Sequence, residues 1–463
     1  MSLTAGILTQ IKQKRRGNSM RKPVLLVSVI GIVLLAGRSY ASEVDALLQK
    51  LIDKGILTAS EAQEIRTETN EEIAKQEKQK QEDYKKVAKD SIPDWAKNIK
   101  LKGDCRARYQ YDQAKSATSV SSDRHRERIR MRFGAETKLI DNFMVGFGIS
   151  TGTTGDPRST NASLADTFAF KSIVLNHAYG QYSPGWALPV DASIIAGKFF
   201  NPIWEPTDML WDTDINPEGV ALKLGYKVNS RPTLFLNSFF GVLDENAADS
   251  DDPIMWAIQP GFDWGIMNNV TLRGAVDFYI FNGIKGHPGM DYNSGTNTIA
   301  VPGNQNRQFG TRVYTYNYNS VNPKLEIGFD DPLSFAGLSS WVPYLGFFGE
   351  DINNFDASEK DNAWTAGFKI GSKKISKLND WQLCYNYRFL ERDAWPDVFP
   401  DSDFYAGRTN TKGHNVILQY GFSKNSYLNI EYYYAMNMTR ASADPGSSLL
   451  PAQVVQADWN IKF

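Results

Sequence analysis

From Ile99 onward, apolar side chains recur at every second position. Ile99, Leu101, Gly103, Cys105, Ala107, Tyr109 and Tyr111 alternate with Lys100, Lys102, Asp104, Arg106, Arg108 and Gln110, the period of a strand with one oily and one wet face. The next segment sharpens the pattern: Ile129, Met131, Phe133, Ala135 and Leu139 alternate with Arg126, Arg128, Arg130, Arg132, Glu136 and Lys138. Arginines at every second position cannot face hydrocarbon, so that face must meet water. The same rule predicts strands near 142–152, 170–183, 189–200, 218–228, 233–243, 254–266, 270–282, 320–330, 341–351, 362–371, 381–391, 413–422, 426–438 and 452–463, sixteen with the first two. Those near 170–183, 189–200 and 233–243 alternate least cleanly. Short connections such as 140–142 and 267–269 alternate with long ones at 112–124, 153–169, 201–217, 283–319, 392–412 and 439–451. The fold this predicts is all-β: a closed transmembrane antiparallel barrel of about 16 strands, polar within and apolar without. An even strand count returns both ends of the barrel to one side of the membrane.

The closing strand, Ala452 to Phe463, shows the rule in miniature. Val455, Ala457, Trp459, Ile461 and Phe463 share one face, and Gln456, Asp458, Asn460 and Lys462 the other.

Upstream of Pro93 the period is 3.6 instead of 2. Val44, Leu47, Leu48, Leu51 and Ile52 have helical spacing, Gly55 can stop that helix, and Thr58 with Glu61 forms a capping box for a second one. From Glu61 to Asp90, 16 of 30 residues are charged, which describes a solvated rod. Its apolar positions are too sparse for a heptad seam, so residues 42–92 read as a short α-helical periplasmic spacer, ahead of a trimerising coiled coil or a cell-wall contact. Residues 1–41 have the form of an export signal: Arg21 and Lys22, an apolar run from Val24 to Gly37, then Ser39-Tyr40-Ala41. Met20 stands where such a signal normally begins, which makes 1–19 an upstream start. The barrel occupies 93–463.

Composition narrows the class. A mean hydropathy of -0.40 excludes a helical membrane bundle but not a barrel, which hides its apolar residues in every second place. The net charge of -1 gives no nucleic-acid footprint. Cys105 and Cys384 have no metal or haem spacing, and His125, His177, His287 and His414 stand in no nucleophile context. The expectation is no enzyme, no metal and no cofactor.

The connection from Asn201 to Pro217 carries Glu205, Asp208, Asp212 and Asp214, with Glu218 just after, and no basic residue. By its composition alone it is an acidic loop, and a solvated surface loop is as good a reading of it as a pore wall.

Several of these stretches carry a resemblance. The terminal Phe463 after alternating Trp459 and Ile461 resembles the closing strand of bacterial outer-membrane barrels, which that class's assembly machinery reads. Trp95, Ile99, Lys100, Gly103, Asp104, Arg106, Arg108 and Tyr109, then Gly197-Lys198, Asn201-Pro202, Trp204, Trp211-Asp212, Asp214 and Pro217-Glu218-Gly219, resemble the motifs of the "putative porin" family of Gram-negative bacteria. The resemblance covers residues 93–463. It implies an outer-membrane channel for passive diffusion of small hydrophilic solutes and ions, with outer-membrane lipid and the barrel assembly machinery as partners. It also implies that the third long loop folds inward opposite Arg106, Arg108, Arg128, Arg130 and Arg132, giving a waist with walls of opposite charge and a transverse field that sorts solutes. A homotrimer is open on this reading. Counting inward charges adds a weak anion preference. The rival readings are an anchor barrel whose helical arm contacts the cell wall or a partner, and the barrel sheath of an electron conduit.

Overall fold

The computed structural model describes residues 48–91, 93–114, 122–185, 189–228, 232–245, 252–286, 314–338, 340–438 and 451–463. The export signal expected at 1–41 lies outside them. The chain divides into two units, ending and beginning at Pro93 and Asp94.

In the first unit, residues 48–53 are helical. Gly55 ends that turn with φ 70°, its N–H bonded back to the Ile52 carbonyl at 2.9 Å, the left-handed stop that glycine adopts without strain. The Thr58 N–H donates to Glu61 Oε2 at 2.9 Å and the Glu61 N–H to Thr58 Oγ1 at 3.3 Å. This reciprocal cap starts a 33-residue helix, Ala59–Ser91. Among the described residues no helix is long and apolar enough to cross a membrane.

The second unit is a closed antiparallel barrel of sixteen long strands. In order they are β1 (Lys100–Ala114), β2 (Ser122–Ile140), β3 (Phe143–Thr151), β5 (Ile173–Tyr182), β6 (Val190–Lys198), β7 (Glu218–Lys227), β8 (Thr233–Val242), β9 (Ile254–Met267), β10 (Val270–Asn282), β11 (Ser320–Asp330), β12 (Tyr344–Asn354), β13 (Asn362–Gly371), β14 (Trp381–Leu390), β15 (Thr411–Gly421), β16 (Ser426–Asn437) and β17 (Ala452–Lys462). A two-residue strand, β4 (Ala162–Ser163), folds the connection after β3 back onto β2. Each long strand pairs with its sequence neighbour, and β17 pairs with β1 from Asp104↔Lys462 to Ala114↔Ala452, so no edge is left.

At the seam, Gly103 and Phe463 exchange backbone hydrogen bonds of 3.0 Å, and the Phe463 ring lies over Gly103 and beside Phe133. A Cβ at residue 103 would strike that ring. The terminal aromatic therefore covers the join between first and last strands.

The alternation divides as lipid demands. Leu101, Phe147 and Trp459 are 60%, 53% and 53% exposed, whereas Asp277, Asn415 and Asp458 are 0% exposed. Wet residues face inward and apolar ones outward, the reverse of a soluble protein.

Several boundaries differ from the expectation by two to four residues, among them the start of β5 at Ile173 where 170 is expected. The strand expected at 341–351 runs over Tyr344–Asn354, because the turn after β11 takes up a short 3-10 helix at Ser334–Ala336 and a left-handed Gly337. β1 and β2 extend past the expected 111 and 126 because the rim lies beyond hydrocarbon, where polar groups can face outward. There Gln113 donates to Asp123 at 3.3 Å, and the Tyr109 hydroxyl meets His125 Nδ1 at 2.7 Å.

Candidate functional site

The site begins with a pair of glycines. Gly197 at the end of β6 is paired with Gly219 at the start of β7, and their φ angles are 121° and 145°. A Cβ at Gly197 would run into the Ala178 carbonyl oxygen and one at Gly219 into that of Phe240. Only glycine fits either place. Between them the Phe199 N–H bonds the Pro217 carbonyl at 3.0 Å, closing a neck from which the intervening segment enters the lumen. Gly219→Ala should cost about 1–3 kcal/mol in strained backbone and change the single-channel conductance by re-aiming the loop. Unchanged conductance and melting temperature would show that the glycine pair does not aim it.

The segment crosses to the far wall and is fastened to five strands, β9, β10, β11, β12 and β14. Trp204 N–H and C=O both bond the Gln259 amide of β9 at 2.9 Å. Glu205 is ion-paired with Lys324 of β11 and takes the Tyr279 hydroxyl at 2.9 Å. Thr207 donates to Glu350 of β12 at 3.0 Å, and Asp208 is ion-paired with Arg388 of β14. Lys324 is the centre of this seat. Its ammonium also meets Asp277 at 2.5 Å and Glu350 at 3.8 Å, and it donates to the Trp204 carbonyl at 3.2 Å.

Three carboxylates around one ammonium, away from water, cannot all stay ionised. Burial, outweighing the pull of Lys324 and reinforced by Glu350, pushes Glu205 up to about 8. A carboxyl raised in the folded state stabilises it fully below the unfolded value and loses that contribution as pH rises through the folded value. The seat should therefore be tightest below the ordinary glutamic value of 4.5 and loosen as pH rises from there to about 8. Current noise should rise across that window and level off above pH 8, and Glu205→Gln should remove the rise.

A second loop, Glu391 to Asn410, meets the first inside the barrel. Trp211 packs against Phe399 and Trp395 at ring separations of 4.5 and 5.8 Å and donates to the Tyr279 hydroxyl at 3.2 Å. Trp395 donates to the Leu210 carbonyl at 2.8 Å, and the Asp212 N–H to the Phe399 carbonyl at 2.8 Å. Asp212 accepts the Ser402 N–H at 2.9 Å, and burial holds its carboxyl, like that of Asp401, well above the ordinary range. The expected waist does not include this loop, which the strand pattern marks only as a long connection. Its signal was present: Asp393, Asp397, Asp401 and Asp403 lie among Trp395, Phe399 and Phe404 with no basic residue from 393 to 405, the composition that singled out the first loop.

The arginine ladder lines the lumen on β1 and β2, but its partners are not those expected. The sequence reading sets Glu205, Asp208, Asp212, Asp214 and Glu218 opposite it. In the structure only Asp214 reaches it, 3.5 Å from Arg132. Glu205 and Asp208 pair with Lys324 and Arg388, Asp212 pairs with backbone, and Glu218 meets Lys198 at 2.7 Å at the neck. The ladder is answered mainly from its own wall. Asp104 holds Arg130 and Arg132 at 2.8 and 2.7 Å, Asp458 holds Arg106 and Arg108 at 3.3 and 2.7 Å, and Asp112 holds Arg126 at 2.7 Å. Asp403, from the second loop, adds to Arg108 at 3.1 Å. Arg128 differs: it donates to Gln110 and to Ser159 at 3.1 Å each, with no carboxylate partner among the described residues. Trp459, Ile461 and Phe463 stand on the outward face of β17. Among the described residues no group of His, Cys, Asp and Glu has the arrangement to hold a metal ion.

A closed sixteen-strand barrel, apolar outside and charged inside, with loops folded into its lumen, is a membrane channel of the porin class. The family model described as "putative porin" matches residues 113–312 and 315–463, and the chain belongs to that family. Solved structures to which the chain is similar include OprB of Pseudomonas putida (9% identity, TM-score 0.48, 79% of this chain and 94% of that one), OmpF of Salmonella typhi in complex with daunomycin (10%, 0.45, 79% and 98%), and a five-substitution variant of the Rh. blastica porin (10%, 0.41, 79% and 100%). No curated protein matches the chain. The family and fold are those of a porin channel.

Proposed function

We propose that this porin is a water-filled pore for passive diffusion of small hydrophilic solutes and ions, with a weak preference for anions. The observation that carries the preference is a gap in the pairing of the arginine ladder on β1 and β2. Of Arg106, Arg108, Arg126, Arg128, Arg130 and Arg132, five are ion-paired with Asp104, Asp112, Asp214, Asp403 or Asp458, and Arg128 alone of the six has no carboxylate within ion-pair distance among the described residues. A single charge without such a partner acts over about 8 Å at physiological salt, so the preference is small and grows as salt is lowered. Under a salt gradient, planar-bilayer recording should give a zero-current potential on the anion side. Arg128→Gln should abolish that preference and Arg128→Glu reverse it. A potential insensitive to both, in a channel that conducts, removes Arg128 from the path.

β1 begins at the end of the barrel where the short turns lie. On that basis we place residues 42–92 on the periplasmic side, after removal of an export signal at 1–41. Trp459, Ile461 and Phe463, outward-facing on the last strand, are the natural handle for the barrel assembly machinery. A homotrimer is the assembly that suits this class.

A further inference from the structure

The charged β1–β2 wall accounts for ions, but a different surface lines the cavity beside the inward loop. This cavity, about 580 Å³, lies between the segment 201–216 and the lumen face of β13, β14 and β15. Its strand wall carries four amides set opposite one another by register, Asn386 facing Asn415 and Gln382 facing Gln419, with Cys384 and Ile417 between them. Asn386 donates to Asn415 at 2.9 Å, Gln382 to the Ser372 carbonyl at 2.7 Å and Gln419 to Asn429 at 3.0 Å. The side-chain carbonyl oxygens of Gln382 and Gln419 accept no bond from the described residues. The loop contributes the half-buried indole of Trp204, one face of which carries the Arg273 guanidinium at 4.5 Å.

The charges at the cavity's edge are already answered. Arg388 is held by Asp208 and by Asp401 at 2.9 Å, Lys369 by Glu326 at 3.5 Å, and Glu205 by Lys324. An anion entering here meets no unanswered cation. A wholly apolar solute would strip water from the amides of Gln382 and Gln419 without replacing their hydrogen bonds. A solute whose hydroxyls each donate and accept, and whose C–H faces can lie on an indole, suits all of these groups at once.

We propose that this cavity is a binding site for neutral polyhydroxylated solutes of sugar size, on the path through the pore. The volume lies within the range of small-molecule sites. The proposal rests on the channel reading and adds a saturable, uncharged step to it.

The test is current recording on the full-length protein in planar bilayers, titrated with maltose. A polyethylene glycol of similar size and inorganic phosphate serve as comparisons. Maltose should reduce the current saturably, and the glycol only as bulk viscosity does. Gln382→Ala and Gln419→Ala each remove a neutral hydrogen-bonding group while leaving every backbone ladder bond in place. Each should weaken the apparent affinity about fivefold, and the pair about 25-fold, as losses of about 1 kcal/mol per hydrogen bond convert. Tryptophan fluorescence of the detergent-folded wild-type protein gives a second readout, expected to change saturably with maltose but not with glycol. Conductance steps that maltose lowers no more than glycol does, with flat fluorescence, overturn the proposal and leave the channel standing. Saturable block by phosphate but not by maltose overturns the assigned solute class. A folded barrel without conductance steps overturns both readings.

Discussion

Replacing Lys324 by Met is expected to unfasten the inward loop while leaving the barrel closed. The substitution keeps most of the side chain's volume but removes the one cation shared by Glu205, Asp277 and Glu350. A buried ion pair broken from one side costs about 3–5 kcal/mol, because the remaining charge has neither water nor partner. The sixteen-strand ladder does not depend on that contact, so the loss should fall on the loop. Single-channel conductance should rise, the thermal transition should drop, and a protease that spares the wild type should cut between 201 and 217. Adding Glu205→Gln to Lys324→Met should recover part of the stability, since it removes one of the orphaned carboxylates. A double-mutant cycle that sums without interaction would show that the two residues do not act together.

Trp211→Ala should have the second large effect. Trp211 is the point where the two inward loops touch, enclosed by Phe239, Tyr279, Trp395 and Phe399 at ring separations of 4.5–6.3 Å. Truncating a buried Trp costs about 3–5 kcal/mol where the surroundings cannot collapse. Here a lumen full of water lies alongside, so the vacated space should flood and the loops should part. The expected result is a larger and noisier conductance together with a lower thermal transition. Phe335→Ala, at an 86% exposed position outside the lumen, is the control and should change neither. Equal conductance in Trp211→Ala and wild type would mean that the aromatic contact does not set the width of the path.

The barrel was legible because lipid imposes its rule one residue at a time. Arg126, Arg128, Arg130 and Arg132 had to share a face opposite Ile129, Met131 and Phe133 wherever the other strands lay, so a period of two yielded strand number, facing and closure. The glycine pair at the loop's neck was visible as letters but not as a hinge, since φ angles of 121° and 145° arise only when β6, β7 and their neighbours press the two backbones together. The pairing of charges was hidden for a related reason. Arg108 meets Asp458 across 350 residues and Arg388 meets Asp208 across 180. Such partners are fixed by the register of closure and by the depth to which a loop descends, and neither leaves a period in the chain. The sequence by itself thus determined which residues face water and which face lipid. Only the tertiary structure decided which acid answers which base, because a strand's facing is a local property and a lumen's charge balance belongs to all sixteen strands and both inward loops together.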